Sequence, residues 1–127
     1  MELMLNIPVP PSNNRFARAT KSKSGKIVMY TPADVKNYRN QVFAEYLKNG
    51  KRIMFGTNPL IVDITAYLKV MTRDVDNIPK EIFDSLTAAG VWHDDKQIVE
   101  MRCRKYRAQD FGVQPHCFIY IKDLKND

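Results

Sequence analysis

The chain is poor in the residues that build several familiar kinds of site. Cys103 and Cys117 are its two cysteines in 127 residues. They are too few for a disulfide framework and lack zinc-ribbon spacing, so they read as buried free thiols. His93 and His116 form neither a two-histidine zinc motif nor a Ser/His/Asp constellation. Five glycines leave no P-loop and no dinucleotide-type pattern, so no nucleotide cofactor is expected. No apolar run approaches the roughly 18 residues that span a membrane. The opening Met1-Glu2-Leu3-Met4-Leu5-Asn6 has no basic n-region and no small-residue cleavage site, which argues against secretion. A reduced, cytoplasmic protein is the expectation. Acidic residues are also in short supply: 14 against 20 Lys and Arg leave a net charge of +6 and a pI near 9.4. A chain this basic most often meets a polyanion, nucleic acid first among them.

What is present is the sequence of one globular domain over residues 1–127, 44% hydrophobic and 27% charged. A chain of that length buries roughly two-thirds of its unfolded surface. Leu3–Ile7 reads as a strand, stopped by Pro8, Pro10 and Pro11. Residues 12–26 hold Arg15, Arg18, Lys21, Lys23 and Lys26 without an acidic residue. That segment is either a flexible basic arm or an arm that contacts phosphates. Thr31-Pro32-Ala33-Asp34 has the form of a helix start, and Val35, Tyr38, Val42 and Tyr46 recur at helical steps up to a stop at Gly50. Leu60, Val62, Ile64, Ala66, Leu68 and Val70 alternate with Ile61, Asp63, Thr65, Tyr67 and Lys69. This predicts a strand in a sheet covered on one side by helices. A second helix is expected from Asp76 or Asn77 to Ala89, with Ile78, Ile82, Phe83 and Leu86 buried and Gly90 ending it. Strands near Lys96–Tyr106 and Pro115–Lys122 read as a hairpin around 107–113, with Cys103 facing Cys117. The order β-α-β-α-β-β predicts an α+β fold, a mixed sheet with two main helices packed on it.

The carboxylates cluster. Asp74 and Asp76 lie two apart where the long strand hands over to the second helix. In extended backbone such residues share a face, roughly 7 Å apart. Two like charges held together are costly unless a cation sits between them. Magnesium takes one or two carboxylates and fills its octahedron with waters and phosphate. The second helix returns the chain to Asp94-Asp95, so Asp74, Asp76 and one of that pair are expected to converge at one sheet edge. Taken singly, the plainer readings are a helix cap for Asp76, a turn carboxylate for Asp94 and solvated surface. Taken as a set on a basic chain, they suggest an acidic metal site inside a phosphate-binding surface. Lys80, four residues after Asp76, is either an exposed ion-pair partner or a cation that stabilises charge on a reacting phosphate. Trp92 reads as core. Phe16, beside Arg15, is a better candidate for stacking on a base, and Tyr30 is a further aromatic candidate. Arg102 and Arg104 share one strand face as a second basic stripe.

These residues resemble a known family. Arg73-Asp74-Val75-Asp76-Asn77-Ile78-Pro79-Lys80, then Phe83-Asp84-Ser85-Leu86, Gly90, Trp92 and Asp94-Asp95-Lys96-Gln97, are similar to the acidic blocks of the RusA-like Holliday junction resolvases. Pro10-Pro11-Ser12-Asn13-Asn14-Arg15 resembles the opening of that family. The resemblance implies that Asp74, Asp76 and Asp95 are essential acids binding Mg²⁺, with Mn²⁺ as a substitute, and that Lys80 is the catalytic lysine. Asp94 and Asn77 then stand behind the ligands. Asn13, Asn14, Arg15, Phe16, Arg18, Lys21, Lys23, Lys26, Arg73, Arg102 and Arg104 are the expected DNA contacts. It further implies a homodimer making paired nicks in four-way junction DNA during recombination and repair. A two-fold dimer suits that two-fold substrate, since a body of roughly 14 Å radius of gyration brings one site to one strand. Two other readings are a non-catalytic DNA-binding module and a nuclease of the same chemistry acting on other branched DNA.

Overall fold

The computed structural model describes residues 1–11, 18–21, 27–30, 33–49 and 53–124, with backbone alone for 18–21 and 27–30. The elements run β1 (Glu2–Ile7), β2 (Arg18–Lys21), β3 (Ile27–Tyr30), α1 (Ala33–Asn49), β4 (Leu60–Leu68), α2 (Ile78–Ala89), β5 (Ile98–Arg107) and β6 (His116–Asp123). Single 3₁₀ turns lie at Val75–Asn77, Asp95–Gln97 and Ala108–Phe111. The fold is α+β, as expected, but the order gains two strands. The basic segment 12–26 contains β2, which pairs antiparallel with β3 as a separate ribbon. A run of like charge in the sequence does not by itself prevent backbone pairing.

The main sheet has the order β1-β6-β4-β5. Strand β4 pairs parallel with β5 on one side and antiparallel with β6 on the other, and β1 pairs antiparallel with β6. The expected β5–β6 hairpin is therefore absent. The chain leaves β4, returns through α2 and lays β5 parallel to β4, the normal outcome of a β-α-β connection. The composition agrees with that order. In β6, Cys117, Ile119 and Ile121 are fully buried, fitting a central strand. In β5, Arg102, Arg104, Lys105 and Arg107 suit an edge, where charge blocks further pairing. Cys103 lies opposite Ile64 and Cys117 opposite Ala66, so β4 stands between the two cysteines. Both are free thiols, Cys117 buried and Cys103 half-buried. Burial pushes Cys103 up to about 11 and Cys117 up to about 12, leaving both unreactive at neutral pH.

Both helices cover one face. Leu60, Val62, Ile64, Ala66 and Leu68 point to them from β4, while Val70 lies past the strand end and is exposed. Val35, Tyr38, Val42 and Tyr46 form the buried stripe of α1, as their spacing predicts. From α2 the core receives Ile78, Ile82 and Leu86. Phe83 packs half-buried against it, edge-on to Trp92 at 5.9 Å. Trp92 is core, its indole N–H donating to Thr87 Oγ1 at 2.6 Å. Gly90 ends α2 at φ 83°, a left-handed conformation that glycine adopts without strain. Among the described residues, no helix is long and apolar enough to cross a membrane. Thr31, Pro32 and Gly50, the expected cap and stop residues of α1, lie outside the described residues.

Candidate active site

Local chemistry builds the Asp74–Lys80 segment before any ligand is considered. Past β4 the backbone folds into a 3₁₀ turn, closed by the Asn77 N–H donating to the Asp74 carbonyl at 3.2 Å. Asp74 precedes the turn and Asp76 lies inside it. The two are therefore not on one face of an extended strand, which corrects the sequence expectation. Pro79 sits in the first turn of α2, where a missing N–H costs little. Asp74, Asp76 and Lys80 are exposed, and Asn77 is half-buried. Among the described residues, neither carboxylate accepts a hydrogen bond or joins an ion pair, and Lys80 has no carboxylate partner. The i,i+4 pair that would make Lys80 a surface ornament does not form, because Asp76 lies outside the α-helix.

The loop is held from both sides. Arg73 donates from Nη2 to the Pro11 carbonyl at 2.9 Å, from Nη1 to the Pro10 carbonyl, and to the Glu81 carboxylate. Lys105 donates from Nζ to the Met71 and Arg73 carbonyls at 3.1 and 2.6 Å. Thus Arg73, expected on DNA, has its guanidinium engaged inside the protein. Glu81 is 2% exposed. Burial raises its carboxyl to about 7 despite the opposing pull of Arg73, with Asp84 adding to the rise. Sequence reading gave no role to Glu81. An acid at a position that faces the core in the α2 pattern was the one signal available for Glu81.

The second acidic block is built by a capping box. Asp94 accepts the Lys96 N–H at 2.9 Å. The Gln97 side chain accepts the His93 and Asp94 N–H groups, both at 2.9 Å, and donates to the Gly56 and Asn58 carbonyls at 3.0 and 2.7 Å. Such a box satisfies otherwise orphaned donors, so Asp94, read singly as a turn carboxylate, caps the 3₁₀ turn Asp95–Gln97. Asp76, read singly as a helix cap, instead lies inside the turn before α2, whose N-cap is Asn77. The hydrogen bond from the Lys96 backbone is the main reason the Asp94 carboxyl is lowered, whereas desolvation and then neighbouring Asp94 and Asp84 raise Asp95. Asp84, Asp94 and Asp95 line one open depression with Arg39, Thr87 and Ala88.

The two acidic blocks do not meet within one chain. Asp74 and Asp76 precede α2, beside the end of β5 that Lys105 marks, while Asp94 and Asp95 follow α2 and precede β5. The 12 residues of α2 span about 18 Å. Among the described residues no three Asp, Glu, His or Cys side chains gather as a metal-holding group. A helix that returns antiparallel to a strand carries the chain back to the strand's opposite end. The expected convergence at one sheet edge ignored that length.

Of the expected DNA contacts, Arg102 and Arg104 lie on the open face of the sheet opposite Asp63 and Thr65. Arg102 is exposed. Arg104 is committed to Asp63 at 2.8 and 3.2 Å and to Thr65 Oγ1 at 3.0 Å. Asn13, Asn14, Arg15, Phe16, Lys23 and Lys26 lie outside the described residues, as do the side chains of Arg18, Lys21 and Tyr30. Exposed His93 stays on its loop, and His116 stacks on Tyr67 at 4.9 Å.

The family model described as endodeoxyribonuclease RusA matches residues 7–114. The crossover junction endodeoxyribonuclease RusA of Escherichia coli strain K12 is 34% identical over 102 residues, covering 80% of each chain. The proteins of that name from Shigella sonnei and from Enterobacteria phage 82 are each 33% identical over the same share. The chain belongs to the RusA family of endodeoxyribonucleases.

Proposed function

We propose that the chain is a crossover junction endodeoxyribonuclease that resolves four-way DNA junctions by paired symmetric nicks, acting as a homodimer in the cytoplasm of a bacterium or a phage-infected bacterium. The observation that carries this reading is a pair of carboxylates, Asp74 and Asp76, with no partner among the described residues, on a loop braced by Arg73 and Lys105 and followed by Lys80 in the first turn of α2, which has no carboxylate partner among them either. Carboxylates so placed on a braced loop of a +6 chain suit a ligand more than they suit stability. A purely DNA-binding module gains nothing from acids there, since they repel phosphate.

The donors are all hard oxygens, which fits Mg²⁺ or Mn²⁺. Asp74 and Asp76 would hold the cation, with Asn77 behind them. When bound, it polarises a phosphate oxygen and acidifies a water. Lys80 would present its ammonium to the charge that develops on the phosphate. Asp95 would complete the set, fixed by the Asp94–Gln97 cap. Because about 18 Å of helix separates the blocks, the complete set would form where Asp95 of one protomer meets Asp74 and Asp76 of its partner. Dimerisation would then be a condition of chemistry as well as a match to a two-fold substrate. Arg102 and the basic segment containing Asn13, Asn14, Arg15, Phe16, Arg18, Lys21, Lys23 and Lys26 would hold DNA. Arg73 and Arg104 would reach a phosphate only by giving up their carboxylate partners.

The test is cleavage of end-labelled four-way junction, flap and linear duplex in Mg²⁺, with EDTA and Asp76→Asn controls. Symmetric nicks on the junction that both controls abolish, with binding retained by the variant, are expected. Binding without cleavage in Mg²⁺ or Mn²⁺ would refute the enzyme, and equal cutting of flaps would refute junction selectivity.

A further inference from the structure

Arg73 and Glu81 stand at the two ends of the segment that carries the proposed chemistry. Arg73 immediately precedes Asp74, and Glu81 immediately follows Lys80. Their side chains meet across eight positions, so one ion pair closes the loop on itself. The same guanidinium reaches the Pro10 and Pro11 carbonyls, tying in the stretch that follows β1. A hydrocarbon would be the economical choice at this place in α2. Glu81 is flanked in the core by Ile78, Ile82 and Ser85, all fully buried. Its second carboxylate oxygen, Oε1, is buried and accepts no hydrogen bond among the described residues. Burying an acid with an oxygen unsatisfied is unfavourable. A buried ion pair of this kind is weak support for stability against an apolar pair of equal volume. What it provides is a fixed geometry, because a planar guanidinium shared among three acceptors has few alternative positions.

We propose that Glu81 is a positioning residue for cleavage: by holding Arg73 it fixes the loop that carries Asp74 and Asp76 against the first turn of α2, which carries Lys80. The inference rests on the reading of those three residues as the cleavage site. It assigns Arg73 to the loop's architecture before any contact with DNA.

The test uses the full chain in two variants, Glu81→Gln and the double Arg73→Met/Glu81→Leu. The double variant replaces the buried pair by side chains of similar volume and leaves no charge stranded. Its melting temperature should equal or exceed that of the wild type. Hydrogen exchange should nevertheless quicken at least tenfold over residues 71–80, including the Asn77 amide, while β4 and β6 stay protected. Single-turnover cleavage of a four-way junction should fall at least tenfold at saturating DNA; junction affinity is measured in Ca²⁺ on Glu81→Gln, which keeps the Arg73 guanidinium, and should change less than threefold. Glu81→Gln, which keeps an acceptor but loses the charge, should lie between. Wild-type exchange over 71–80 together with a wild-type rate would overturn the proposal. So would loss of protection across the whole sheet together with the melting temperature, since that marks a merely structural pair. The exchange measurement needs no catalysis. A wild type that cuts no DNA would refute the enzymatic reading, whatever the loop does.

Discussion

Replacing Glu81 by glutamine removes a buried carboxyl that titrates at about 7 rather than near 4.5. A group whose folded titration point is raised binds its proton more tightly in the native state. The stability it contributes is complete below pH 4.5 and is lost as pH rises through 7, where slope ∂ΔG/∂pH is negative for this group. Each pH unit of separation is worth about 1.4 kcal/mol, so the wild type should lose about 3 kcal/mol across that window from Glu81 alone. At about 2.1 cal/mol/K of unfolding entropy per residue, that corresponds to roughly 10 °C in melting temperature for a domain of this size. The glutamine variant lacks the titration. Its absolute stability depends on how well an amide serves Arg73, but that offset is constant with pH. The quantity to measure is therefore the difference in melting temperature between the two proteins at half-unit steps from pH 4 to 8.5. The wild type should decline relative to the variant between pH 4.5 and 7.5 and run parallel to it outside that range. Parallel curves throughout, to within 2 °C, would refute the burial argument for Glu81.

Two further substitutions probe other parts of the account. Ile82 is fully buried between α2 and the sheet, and Ile82→Ala should cost about 2–5 kcal/mol by urea denaturation with the slope unchanged; a loss under 1 kcal/mol would mean that the α2 face is not packed as described. Gln97→Ala removes four hydrogen bonds around the second acidic block. Three of them are exposed, where water replaces the lost partner, so the loss should be about 1–3 kcal/mol rather than the roughly 4 kcal/mol of four typical bonds. Junction cleavage should fall further than junction binding, because Asp95 loses its support. Equal losses of the two would argue against that role.

The parts of the fold legible in the sequence were those set by periodicity and punctuation. The α1 stripe of Val35, Tyr38, Val42 and Tyr46 is the observed buried set. Alternation along β4 and the Pro79-to-Gly90 frame of α2 are equally direct. Partner choice was not legible in the same way. Strands β5 and β6 are consecutive, which suggests a hairpin, yet α2 delivers β5 to the far side of β4. The charge on β5 and the unbroken apolar alternation of β6 were the available clues to edge and centre. The acidic blocks were visible as residue types at a spacing, whereas their separation follows from the length of α2, which spacing alone does not convert into direction. Glu81 escaped notice because an acid at one helical position looks like surface until the core is seen to close over it. The Arg73 and Arg104 guanidiniums were read as available to phosphate, since sequence does not reveal that Glu81 and Asp63 already hold them.

The central claim is that one cleavage site takes Asp76 from one protomer and Asp95 from its partner. Mixing inactive Asp76→Asn protein with inactive Asp95→Asn protein tests it directly, after subunit exchange, on a four-way junction with one strand labelled at a time. In a mixed dimer, one of the two sites would then combine Asp76 of the second variant with Asp95 of the first, and both would be intact. The account predicts that the mixture regains cleavage, as single nicks without paired resolution, while each variant alone stays inactive. A mixture that stays inactive beside an active wild type, with mixed dimers shown to form, would contradict it.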